Sequence, residues 1–113
     1  MVKPQLPDEY YIPYTLDDEA ASTEETRSFS AAGGETLVEM TPINYGRNVK
    51  AYQRIAQATG VHVICCTGFH KQLFMPPWFG DKTDGELYDI LMDEVTNGLD
   101  GTEIHPGVIK LGT

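Results

Sequence analysis

Basic residues are scarce in this sequence: 8 Lys and Arg stand against 17 Asp and Glu, for a formal net charge of −9. Non-specific affinity for a phosphate backbone comes from clustered Lys and Arg, so the composition argues against a nucleic-acid partner. No run approaches the roughly 18 apolar residues that span a bilayer, and Met1-Val2-Lys3-Pro4-Gln5 lacks the apolar core of a signal peptide. The chain therefore reads as soluble and cytoplasmic, with no membrane partner. Cysteine is limited to Cys65 and Cys66. Neighbouring residues on a strand point to opposite faces, so no disulfide framework is available, and two buried free thiols suit a reducing compartment. Also missing are His-x-His, His-x-x-x-His, a zinc-finger cysteine pair, a glycine-rich phosphate loop and a Gly-x-Ser-x-Gly elbow. Several common enzyme classes drop out, and a complete metal site cannot be read from this chain.

What is present alternates. Residues 1–14 carry prolines and tyrosines without a period and read as an extended surface segment. From Thr15, a capping box with Asp18 and a closing Gly33-Gly34 predict a helix of about four to five turns. Thr36–Thr41 reads as a strand, Asn48–Ala58 as a helix ended by Gly60, and Val61–Thr67 as a second strand. A long loop follows, Gly68 to Lys82, rich in proline and aromatics; loops of this length are commonly functional. Thr83 and Glu86 form a second capping box, Leu87, Ile90, Leu91, Glu94 and Val95 mark a helical stripe, and Asn97-Gly98 closes it. Val108–Gly112 is the last strand. This order predicts an α/β fold with a parallel sheet covered by helices, in a single partial domain whose β/α units run from 15 to 113. Periodicity alone does not choose between an open doubly wound sheet and an arc of a barrel.

In parallel α/β folds, chemistry gathers beyond the C-terminal ends of the strands, which directs attention to Glu39–Tyr45, Thr67–His70 and Lys110–Thr113. Lys110 stands alone in Gly107-Val108-Ile109-Lys110-Leu111-Gly112-Thr113, a strand apolar enough to expect burial. A buried lysine is pushed toward its neutral, nucleophilic form, and Schiff-base formation, general-base work or carboxylation to a carbamate all remain open on these residues. The bland alternative is an amine that snorkels to the sheet end or pairs with a carboxylate, Glu39 among them. Arg47 serves equally as an anion binder near a helix start or as a clamp on loop carbonyls. Phe69, His70, Trp78 and Phe79 either line an apolar pocket or pack the loop on the sheet.

Taken together, Ala32-Gly33-Gly34-Glu35-Thr36-Leu37-Val38-Glu39-Met40-Thr41, Tyr45-Gly46-Arg47-Asn48, Ala58-Thr59-Gly60-Val61-His62-Val63-Ile64, Thr67-Gly68-Phe69 and Gly98-Leu99-Asp100-Gly101-Thr102 through Gly107-Val108-Ile109-Lys110 resemble the phosphotriesterase family of the amidohydrolase superfamily. The motifs run in order from about Leu16 to Thr113. The resemblance implies a (β/α)8 TIM barrel whose strand ends hold two divalent metal ions, usually zinc. A bridging hydroxide there attacks a phosphotriester, lactone or carboxylester. It implies further that Lys110 is the carboxylated lysine bridging those metals, that this chain corresponds to barrel strands 2 to 4, and that the other ligands lie elsewhere in the barrel. Phe69 and His70 are then expected beside the substrate, His70 standing where the family generally has Tyr or Trp. His105-Pro106 also departs from the family's usual pair before the lysine strand. Three strands and one ligand position predict no catalysis and no tightly held metal in the chain by itself. The alternative is a non-catalytic truncated or split fragment that self-associates, or joins a complementary half-barrel, through open sheet edges.

Overall fold

The computed structural model describes residues 18–112. The extended segment expected over 1–14, and Thr15 of the first capping box, lie outside the described residues. Helix α1 (Glu19–Ala31) is capped by Asp18, whose carboxylate accepts from the Ala21 N–H at 3.0 Å. The cap is therefore the second half of the expected box, and the helix is correspondingly shorter. At its end Gly33 turns the chain at φ 96°, and the ring of Phe29 fills the space a Gly34 side chain would need.

Strand β1 (Thr36–Glu39) is two residues shorter than the sequence pattern, because the Thr41 N–H and hydroxyl both turn back to the Glu39 carboxylate. Helix α2 (Val49–Thr59) starts on Asn48, which accepts from the Ala51 N–H, and ends on left-handed Gly60 at φ 74°. Strand β2 (His62–Phe69) runs two residues further than expected. Two single 3-10 turns, Gln72–Phe74 and Phe79–Asp81, punctuate the long loop. Helix α3 (Asp84–Asn97) has the full capping box between Thr83 and Glu86. Strand β3 (Val108–Leu111) closes the series.

The three strands form one parallel sheet in the order β1-β2-β3, alternating with helices as expected. Side chains alternate between faces along a strand. Val63, Cys65 and Thr67 face the helices: Cys65 packs with Val49 and Leu99, with Tyr52, Val63 and Ile104 around them, and Thr67 donates to Glu94 of α3. Paired with these in register, Leu37, Glu39 and Ile109 share that face. Ile64 and Cys66 face the other side, with Val38, paired to Ile64, and Val108, paired to Cys66. Two positions along from Val108, Lys110 shares this second face, which is helix-free among the described residues.

The expectation that the apolar β3 strand is buried does not hold among the described residues. Ile109 and Leu111 are 64% and 81% exposed, and Lys110 is half-buried. The reason is positional: β3 pairs on one side only, while β2, paired on both, carries the buried run from Cys65 to Phe69.

Candidate functional site at the strand ends

Beyond the C-terminal ends of β1 and β2, two loops meet. Tyr45, from the loop after β1, lies 4.3 Å from His70 and 4.8 Å from Phe74 between ring centroids. His70 stacks on Phe74 at 5.1 Å with the planes 11° apart, and Lys71 Nζ sits 5.5 Å over the same Phe74 ring. Asn44 Nδ2 donates to the Phe74 carbonyl at 3.4 Å, and Ile43 bridges to Phe69. These contacts make one aromatic wall. In it His70 Nδ1 is buried with no hydrogen-bond partner among the described residues. Burial, followed by the positive charges of Lys110 and Lys71, holds the His70 imidazole below its ordinary value. A neutral ring with an unused nitrogen at a strand end is equipped to accept or donate one hydrogen bond.

Phe69 is buried and edge-on to Trp78 at 6.2 Å and Phe79 at 4.9 Å, so it anchors the long loop on the sheet. Lys110 stands opposite Gly68, whose φ is 115°. A β-carbon at Gly68 would overlap the Lys110 backbone, so glycine is what allows the two strands to meet there. Lys110 pairs with no carboxylate among the described residues, and Glu39 lies on the opposite face, held by Thr41 and close to Tyr52. Burial pushes the Tyr52 phenol up to about 12, which keeps it a neutral neighbour of that carboxylate.

Arg47 is a clamp rather than an anion site. Its side chain is 4% exposed. Nε and Nη2 donate to the two Asp100 oxygens at 2.9 and 2.8 Å, and Nη1 and Nη2 both donate to Glu94. Nη1 also reaches the Cys66 carbonyl at 3.2 Å. Burial alone would disfavour the cation, but the hydrogen bonds it donates to Asp100 and Glu94 more than offset it and hold Arg47 firmly protonated. The cleft between α2 and α3, lined in part by Arg47, Asp93, Glu94 and Asp100, lies over this network, whose charges are already paired.

Three of the residues read from sequence thus lie at the strand ends: Lys110 in β3, Phe69 as the last residue of β2, and His70 just beyond it. Tyr45 was not singled out. Its signal was the Asn44-Tyr45-Gly46 turn, where Asn44 and Gly46 take φ values of 65° and 85°. Among the described residues no group of three or more His, Cys, Asp or Glu side chains is disposed to hold a metal ion.

Comparison with known proteins follows the same lines. Residues 10–113 match the family model described as the phosphotriesterase family. The chain is 32% identical over 99 residues to the phosphotriesterase homology protein of Escherichia coli (strain K12), which covers 87% of this chain and 34% of that protein. It is 38% identical over 94 residues to N-acetyltaurine hydrolase of Danio rerio, covering 82% and 27% of the two. Among solved structures, a lactonase from Listeria monocytogenes superposes with a TM-score of 0.81 at 30% identity, over 87% of this chain and 35% of that one. The chain spans about a third of the length of the relatives it matches.

Proposed function

The chain belongs to the phosphotriesterase family, and from that premise we propose that it forms part of the barrel of a metal-dependent hydrolase of ester-type bonds, phosphotriester, lactone or carboxylester. The observation that carries the proposal is the setting of Lys110. It stands near the end of β3 on the face opposite the helices of the described residues, its backbone close against that of Gly68, and it has no carboxylate partner among the described residues. Such a lysine fits a carboxylated ligand: the carbamate would present two anionic oxygens on a long stem, as a bridging Asp or Glu does. The donor set fits in part, since the described residues supply this one ligand and no cluster beside it. When bound, two divalent cations, zinc in our proposal, would supply Lewis acidity and lower the pKa of a water.

The chain's own residues have simpler tasks in this scheme. His70, Tyr45 and Phe74 together give the substrate's apolar part a wall. Phe69 keeps the loop that carries His70 on the sheet. The names of the relatives span lactonase and N-acetyltaurine hydrolase, so an acylated amine belongs in the substrate panel beside the esters. Two free, buried cysteines suit a cytoplasmic setting.

A second reading is favoured by the exposed Ile109 and Leu111 and by strands β1 and β3, each paired on one side only among the described residues. Apolar side chains left bare on a helix-facing surface, beside open edges, suit association with a complementary half-barrel or with a second copy. The chain would then be catalytically inert until joined.

The deciding experiment is metal content and hydrolysis after incubation with zinc and bicarbonate, for the chain alone and mixed with a segment of a relative that supplies the remaining strands. We expect neither metal nor turnover from the chain alone, and both from the mixture. Lys110→Ala should abolish the two together; two metals retained by that variant would sink the bridging role.

A further inference from the structure

β1 leaves the sheet early. Its last paired residue, Glu39, lies opposite Cys65, and the carbonyl of the next β2 residue, Cys66, accepts from Arg47 instead. The segment after β1 touches the sheet again at Ile43, bridged to Phe69. Between that bridge and Arg47 stands the Asn44-Tyr45-Gly46 turn, with left-handed backbone on both sides of Tyr45. Asparagine and glycine are the residues that adopt such backbone most readily, which suits both to a sharp turn here.

The turn is tethered at both ends. On one side are the Ile43 bridge and the bond from Asn44 to the Phe74 carbonyl. On the other is the guanidinium of Arg47, held by Glu94 of α3 and by Asp100 of the loop leading to β3. Tyr45 itself is 40% exposed, so burial does not fix its ring. Its place against His70 follows from the backbone that presents it.

We propose that Arg47 is a positioning residue for the strand-end wall: by fixing the return of residues 40–47 to the sheet, it holds Tyr45 against His70 and so shapes the approach to the strand ends. Its bearing on catalysis rests on the reading above, that His70 and Tyr45 border the substrate. A lysine could keep the buried charge, but it lacks the planar fork that serves two carboxylates and a carbonyl at once.

NMR of histidine-labelled full chain tests this, because the His70 resonances report the ring currents of Tyr45 and Phe74. In Arg47→Lys they should move toward free-histidine positions, as in Tyr45→Ala, while Arg54→Lys leaves them in place. Guanidinium added at low millimolar concentration to Arg47→Ala should draw them back. A lowered melting temperature with unmoved His70 resonances in Arg47→Lys would make Arg47 a stabiliser only and overturn the proposal. If Arg47→Lys does not fold, Asp100→Asn, which weakens the more exposed arm of the clamp, carries the same comparison. Titration with δ-valerolactone of the unsubstituted chain, joined to the segment that supplies the remaining strands and loaded with zinc, addresses the underlying reading separately. His70 resonances that ignore the lactone yet shift in Arg47→Lys would refute the substrate border and leave the positioning role intact.

Discussion

Gly68 and Lys110 face each other so closely across β2 and β3 that a β-carbon on the glycine would overlap the lysine's carbonyl. The constraint is doubled by a φ of 115°, where an L side chain is strained. Gly68→Ala should therefore cost on the order of 2–4 kcal/mol from strain and overlap combined. Gly60→Ala, with open space around the added carbon, should cost only about 1 kcal/mol. Urea denaturation of the two variants gives the comparison, and equal losses would show that the close approach is unimportant.

Glu94 holds both Arg47 and the hydroxyl of Thr67, which is fully buried. Glu94→Ala would leave the buried Thr67 hydroxyl without its acceptor and Arg47 held by Asp100 and the Cys66 carbonyl alone. A loss of about 1–3 kcal/mol is expected. Arg54→Ala, at the exposed pair with Glu19, should barely move the denaturation midpoint.

The lowered His70 value has a definite sign in stability. The folded chain binds fewer protons at this ring than the unfolded chain does, so stability is full above the ordinary histidine value of 6.5 and falls as pH drops through the depressed folded value. His70→Phe keeps the stacking on Phe74 and should flatten that acid-side slope in melting temperatures recorded between neutral and mildly acidic pH. An unchanged slope would place its origin elsewhere.

Exposed Leu111 and Ile109 make a prediction about association. Leu111→Lys, with Ile109→Lys, should lower any self-association seen by gel filtration and weaken binding to a complementary half-barrel, while leaving the far-ultraviolet spectrum unchanged. Undiminished association would move the contact to the β1 edge.

Much of the fold was legible because local chemistry and tertiary context agree. Thr83 with Glu86, Asn48 and Gly60 each mark a helix end by a bond or a backbone angle that the residue type itself dictates. Where the pattern misled, a side chain intervened. Glu39 captures Thr41 and ends β1 early, which no alternation of apolar residues encodes. Burial of Lys110 was inferred from its apolar neighbours, but exposure in a strand is set by what pairs beside it, and β3 lies at an edge. At the site, the strand-end rule directed attention to Lys110, Phe69 and His70, which the structure places at the ends of β2 and β3. A clamp is one of the two sequence readings of Arg47, but its carboxylate partners, Glu94 and Asp100, lie 47 and 53 residues away and only the fold brings them to it.

Cys65 and Cys66 are one residue apart yet belong to different layers. Cys65 packs among the helices, whereas Cys66 lies on the side shared with Val108 and Lys110. Burial pushes both thiols up, so neither reacts readily while the sheet is intact. The chain thereby carries a built-in pair of reporters: the order in which the two sulfurs become alkylated tells whether the helix layer or the opposite face of the sheet opens first.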